Sequence, residues 1–215
     1  MRVGQLIDAA VIGYLLGTIP SADLAARRAS GGSIDLRTVG SGNPGGTNAM
    51  KVLGKKYGYA VMAADVGKGA VAGFAGRAIA GATGAHLAST AAVVGHCFPV
   101  WNGFKGGKGV GTSAGQCLAT FPVYFPIDCG VAAITVSLPW WKQRAFSAMV
   151  LTSICWVFGS FVWWRKGWAN LWGPRPTVAL PLAAAATSAV IIYKFVTAPP
   201  PPSEPDETNE TEVSA

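Results

Sequence analysis

Between Gly95 and Thr112 the chain reads GHCFPVWNGFKGGKGVGT, a stretch whose residue types suit an anion. It holds His96, two lysines (Lys105 and Lys108) and, after Pro99, the glycines Gly103, Gly106, Gly107, Gly109 and Gly111. Glycine lets a backbone turn with positive φ and approach a ligand closely. Consecutive peptide N–H groups in such a turn form a concavity that holds anions. Two ammonium groups beside it make phosphate the natural guest. A flexible basic loop between helices would have the same composition, so this stretch alone does not decide between the two readings.

A second loop tips the balance. Gly40 to Gly58 reads GSGNPGGTNAMKVLGKKYG. Gly40, Gly42, Gly45 and Gly46 offer anion-binding backbone, Ser41, Asn43, Thr47 and Asn48 add neutral hydrogen-bonding groups, and Lys51 adds a charge. The competing reading is an Asn/Gly turn whose side chains bond their own backbone. Two such loops on one face favour a site for phosphorylated ligands. Asp65 and Lys68 stand one helical turn apart in an apolar stretch, where a charge is costly unless paired. Asp65 is expected to form a structural ion pair with Lys68, with Lys68 also a candidate for the anion site. His96 closes a helix beside the lysine cluster and is a candidate for holding substrate.

The elements that carry these loops are membrane helices. The chain is 51% apolar and only 13% charged, against roughly 25% charged in soluble domains. A bilayer core takes ~20 apolar residues per helix. The expected fold is an all-α polytopic membrane protein with about seven transmembrane helices, or six if the short fifth is re-entrant, and Gly-rich cytoplasmic loops. The spans are expected at 3–26 (bent at Gly17 and Pro20), 59–80, 84–100, 110–125, 127–141, 146–164 and 177–196, with a basic turn at Lys142–Arg144. Asp23 and Arg27, four apart, are expected to pair at the first helix end. The N-terminal apolar run lacks a small-residue cleavage site and reads as a retained helix. Residues 1–198 form the membrane domain, and 199–215 an acidic, Pro-rich tail expected to be disordered.

Seventeen Lys/Arg face ten acids, five of them in the tail. Such a balance suits phosphorylated substrates and anionic membrane lipids. Nucleic acid is disfavoured, because the cations sit in short loops between spans. If the loop after the first helix is cytoplasmic, that side receives twelve of the seventeen cations, as the positive-inside rule requires. Two crossings separate the Gly-rich loops, which places both on that face. The four cysteines form no CxxC pair and read as buried thiols. No metal site and no cofactor is expected.

FKGGKGVGT is not a Walker A loop, because Lys108 precedes Gly109 and Asn102 stands where the first glycine belongs. There is no H-x4-D, no G-x-S-x-G and no visible histidine–carboxylate pair. A catalyst built from this chain has no obvious protein base. It needs an activated substrate, or one whose own phosphate accepts the proton.

GSGNPGGTNAMKVLG, DVGKG and GHCFPVWNGFKGGKGVGT resemble, over about residues 4–120, three signatures of the bacterial acyl-phosphate:glycerol-3-phosphate acyltransferases, the PlsY family. The resemblance implies transfer of an acyl group from fatty acyl phosphate to the 1-hydroxyl of glycerol 3-phosphate. The product is lysophosphatidate for phospholipid synthesis, formed at the inner face of a bacterial plasma membrane. It implies that Ser41 matches the family's essential loop serine, that Lys51 stands where arginine is usual, and that the glycines around Lys105 and Lys108 match its glycerol-phosphate loop. Lys51 keeps the charge and loses the bidentate fork, and Gly46 replaces an alanine. The family's closing segment with histidine, asparagine and glutamate has no match in IIYKFVTAPPPP. Ser41, Lys51 and Lys108 are the expected catalytic residues. Gly40, Gly42, Asn43, Thr47, Asn48, Lys68, His96, Lys105, Gly106, Gly107 and Gly109 are the expected binding residues. The alternatives are a non-catalytic paralogue that binds lipid phosphate or a phosphorylated metabolite, and a transporter.

Overall fold

The computed structural model describes residues 2–138 and 144–200. Among them the structure is entirely helical: α1 (Val3–Gly17), α2 (Ser21–Ser30), α3 (Gly46–Leu53), α4 (Lys55–Cys97), a 3-10 turn (Val100–Asn102), α5 (Val110–Thr120), α6 (Phe125–Ser137), α7 (Arg144–Lys166) and α8 (Ala179–Val196). The expected turn at Lys142–Arg144 and the tail lie, but for the backbone of Arg144 and residues 199–200, outside the described residues.

The expected bend at Gly17–Pro20 is a break between α1 and α2. α4 contains the second and third expected spans in one element. Gly81, at φ 61°, ψ −152°, reverses the chain after Ala80, and the two arms run back along each other, bringing Gly76 against Gly84. Stretches 3–30, 55–102, 145–166 and 179–196 are long and apolar enough to cross a membrane, the second as a hairpin of two passes. α5 and α6 are shorter than expected. Phe121 precedes Pro122, which pushes it out of the helical region (φ −143°) and stops α5. Leu138 precedes a proline in the same way and leaves α6 extended.

Lipid provides no hydrophobic drive between helices, so they associate by close packing and interhelical hydrogen bonds. Here α1 lays Gly13 and Gly17 directly on the backbone of Ala88 and Ala92, and Gly95 meets the Tyr14 carbonyl. Gly69 and Gly115 do the same between α4 and α5, against Thr112 and Val66. A Cβ at any of these positions would collide with main chain. A largely buried polar triad ties in α8: the Gln116 side-chain amide donates to Thr90 (3.2 Å), and the Thr187 hydroxyl donates to Gln116 Oε1 at 2.9 Å. Away from the site, Trp172 donates to the Leu118 carbonyl (3.0 Å) and Trp163 to that of Ala169 (3.1 Å).

Gly17→Leu should therefore separate α1 from α4, costing more than the ~1–3 kcal/mol of ordinary overpacking. Gly4→Leu, which meets nothing within 4 Å, should lie within ~0.5 kcal/mol of the parent. Thermal unfolding of both variants in detergent checks the pair, and equal melting temperatures would refute the packing assignment.

Candidate active site

The α1–α2 break exposes main-chain carbonyls, and a cluster of charged residues assembles around it. Lys68 donates to the Ile19 carbonyl at 3.1 Å and lies 2.9 Å from Asp65 Oδ1. The same oxygen accepts the Ser21 hydroxyl and stands 3.5 Å from His96 Nδ1. Asp65, Lys68 and His96 are each less than 10% exposed. The ion pair expected between Asp65 and Lys68 is present. The apparent lack of a histidine–carboxylate pair in the sequence is corrected here, because the α4 hairpin brings together residues 31 positions apart. Gly111, in the first turn of α5, packs against the Asp65 side chain. His86 is buried with neither ring nitrogen hydrogen-bonded and does not join this cluster.

Arg37 forms the second cluster. Its guanidinium grips Asp23 through both carboxylate oxygens, at 2.7 and 3.1 Å, and donates from Nε to the Lys105 carbonyl at 3.0 Å. Asn102 Nδ2 donates to Asp23 Oδ2 at 2.6 Å. Asp23 therefore pairs with Arg37 and not with Arg27 as the helical spacing suggested. Arg27 points into the exposed surface, and Arg37 offers a fork that matches both oxygens. Burial works against the Arg37 charge, but hydrogen bonds and the field of Asp23, then Asp35, outweigh it and raise its pKa.

These contacts bring the two Gly-rich loops together. The Pro44 carbonyl lies 3.1 Å from where a Gly107 Cβ would stand, and that Cβ would also collide with His96 Nε2. The Gly106 and Gly107 N–H groups donate to the Cys97 and His96 carbonyls, both at 3.2 Å. They are not free for an anion, so their smallness is what the site uses. A small surface pocket, open at its mouth, is lined by the α1–α2 break together with Asp23, Arg37, Pro44, Lys68, His96 and Gly106–Gly107.

The Gly40–Gly58 stretch, expected as a Gly-rich loop, contains the helix α3. Asn48 is buried and organises the turn before it: its amide donates to the Leu36 and Val39 carbonyls and its oxygen accepts the Ser41 N–H at 2.9 Å. Gly40, at φ 61°, lies so close to Asn48 Oδ1 that a Cβ would strike it. Ser41, Thr47 and Lys51 are exposed and make no side-chain hydrogen bond or ion pair to described residues. Thr47 and Lys51, four apart on α3, share a face. Asn43 packs beside Gly45 at the start of α3. Gly42 donates its N–H to Val39. Lys105 is exposed. Lys108 is partly buried, with Nζ 4.4 Å from the centre of the Phe195 ring, and burial lowers its pKa. Gly109, at φ 86°, leads into α5.

Residues 7–198 match the family described as glycerol-3-phosphate acyltransferase. The chain belongs to that family. Glycerol-3-phosphate acyltransferases from Jannaschia sp. (strain CCS1) and Exiguobacterium sibiricum are 42% and 48% identical over 148 and 121 residues. These alignments cover 67% and 56% of this chain, and 70% and 58% of those relatives. Among solved structures, the glycerol 3-phosphate form of PlsY (YgiH), an integral membrane glycerol 3-phosphate acyltransferase, superposes with a TM-score of 0.68 at 27% identity. The match covers 96% of this chain and 98% of that one. Its lysophosphatidic acid form gives the same score and identity over 88% and 87%.

In this acyltransferase-family chain, sequence reading missed Ser21, Asp23, Arg37 and Asn102 as parts of the pocket region. Arg37 carried a signal as a charge bordering a Gly-rich loop and Asp23 as a charge at the first helix end, whereas Ser21 and Asn102 carried none.

Asp65→Asn should strand the Lys68 charge and destabilise the protein by about 3–5 kcal/mol. Adding Lys68→Met should recover most of that loss. A double-mutant cycle of thermal unfolding in detergent checks this, and simple additivity would show that the pair is not coupled.

Proposed function

We propose that this protein transfers the acyl group of a fatty acyl phosphate to the 1-hydroxyl of glycerol 3-phosphate, releasing lysophosphatidate and inorganic phosphate. The observation that carries the reading is the meeting of two Gly-rich loops over Lys68 and His96, with Arg37 joining α2 to the Lys105 carbonyl. Family membership supplies the reaction class. The cation excess on this end and the positive-inside rule support a cytoplasmic active face in a bacterial plasma membrane.

The substrate hydroxyl attacks the acyl carbonyl, the carbon–oxygen bond to phosphate breaks, and the hydroxyl proton leaves on the phosphate as HPO₄²⁻. The reaction balances without an acyl-enzyme and without a protein base. What the protein must supply is placement of two anions and neutralisation of charge as it develops. Lys108, with Lys51 and the free N–H groups opening α3, serves that purpose. Ser41 hydrogen-bonds at the reacting centre, and Lys68, His96 and the glycines of both loops shape the glycerol-phosphate pocket. A non-catalytic binding protein is the weaker reading, since the matched family and the relatives above are acyltransferases by description.

Lys108→Ala should lower the transfer rate at least about a hundredfold, the scale of one lost charge-stabilising donor, while the melting temperature stays within a few degrees. Purified protein in detergent with both substrates, assayed for lysophosphatidate and phosphate, gives the answer. Retained activity would exclude Lys108 from the chemistry, and wild-type binding without product would favour the non-catalytic reading. Impermeant labelling of cysteines placed at Thr47 and Lys105 tests the face, because label entering from opposite sides would exclude a shared site.

A further inference from the structure

The last turn of α8 and the loop that leaves α4 exchange two contacts of one kind. Lys194 Nζ lies 5.1 Å from the centre of the Phe98 ring, and Lys108 Nζ lies 4.4 Å from that of Phe195, the residue after Lys194. Each side contributes one cation and one ring. The rings are themselves fixed, Phe98 against Tyr193 at 6.0 Å and Phe195 against Phe146 at 6.4 Å. Both lysines are partly buried, and neither meets a carboxylate among the described residues. Lys68 and Arg37 differ, being neutralised by Asp65 and Asp23.

That difference has a chemical meaning. A carboxylate that holds a cation also cancels its field, and an arriving phosphate must compete with it. An aromatic face orients an ammonium through its quadrupole and leaves the full charge in place. Two ring-held lysines, one of them on Phe98 beside the pocket-lining Pro99, are therefore preorganised and unspent.

We infer that Lys194 is a further phosphate-binding residue, acting with Lys108 on one doubly charged phosphate group, and that Phe98 and Phe195 are positioning residues for the two ammoniums. The inference rests on the acyl-transfer reading for the identity of that phosphate, which belongs either to the acyl donor or to glycerol 3-phosphate.

The test uses the full chain in detergent, with KM measured for each substrate in turn in wild type, Lys194→Gln, Lys194→Arg and Phe98→Leu. Loss of a charge-assisted phosphate contact should raise KM for one of the two substrates about tenfold or more, with a much smaller change in kcat. Which KM moves identifies the source of the phosphate. Lys194→Arg should recover most of the effect, and Phe98→Leu should raise the same KM by a smaller factor. A purely structural Lys194 would lower the melting temperature without moving either KM, and that result overturns the inference. If wild type transfers no acyl group, the acyl-transfer reading fails instead, and binding of inorganic phosphate to wild type and Lys194→Gln decides the lysine's role. Equal affinities would then overturn it.

Discussion

Asp65 Oδ1 receives the Ser21 hydroxyl, the Lys68 ammonium and the His96 ring edge, and these come from the start of α2 and from both arms of α4. A charge inside an apolar bundle has to be compensated where it stands. This oxygen therefore dictates which elements are neighbours around it. Release any one partner and the others are left with a buried, under-compensated group, so the α1–α2 break, the α4 hairpin and the α5 N-terminus are held as one unit. The pocket is the gap that remains among them.

Such proximity demands that backbones approach closely, and the glycines make this possible. Gly13 and Gly17 seat α1 on the second arm of α4, and Gly69 and Gly115 seat α5 on the first. With alanine or larger at those places the helices would stand further apart, and hydrogen bonds between their ends near 3 Å would be lost. The dependence runs in one direction: small residues permit the approach, the approach permits the charge cluster, and the cluster shapes the pocket.

What the sequence disclosed follows the same division. Two Gly-rich loops with cations, and an acid and a lysine one turn apart, are local patterns and were legible. The pairing of Asp23 with Arg37 was not, because spacing along a helix favours Arg27 and nothing local shows that the loop after α2 folds back. His96 and Asp65 are paired by a reversal at Gly81, so no short motif could reveal them. α3 did leave a trace. Ala49, Val52 and Leu53 recur at helical spacing and pack with Ala22, Ala26, Leu36 and Val61, but the surrounding glycines masked the pattern. The short α5 and α6 follow from the prolines at 122 and 139, whose effect on the preceding residue outweighed the apolar run.

The cations of this face fall into two groups by what holds them. Arg37 and Lys68 are clamped by carboxylates, and their contacts to the Lys105 and Ile19 carbonyls fix one loop and one helix break. Their charge is largely consumed in holding the structure. Lys108 and Lys194 rest on rings, while Lys51 and Lys105 stand exposed, and none of the four pairs with a carboxylate among the described residues. A reaction whose hydroxyl proton departs with the leaving phosphate asks the protein for little acid–base chemistry and for much anion placement. A pocket whose histidine is tied to a carboxylate, and whose lining cations Lys68 and Arg37 are themselves paired, is suited to that demand.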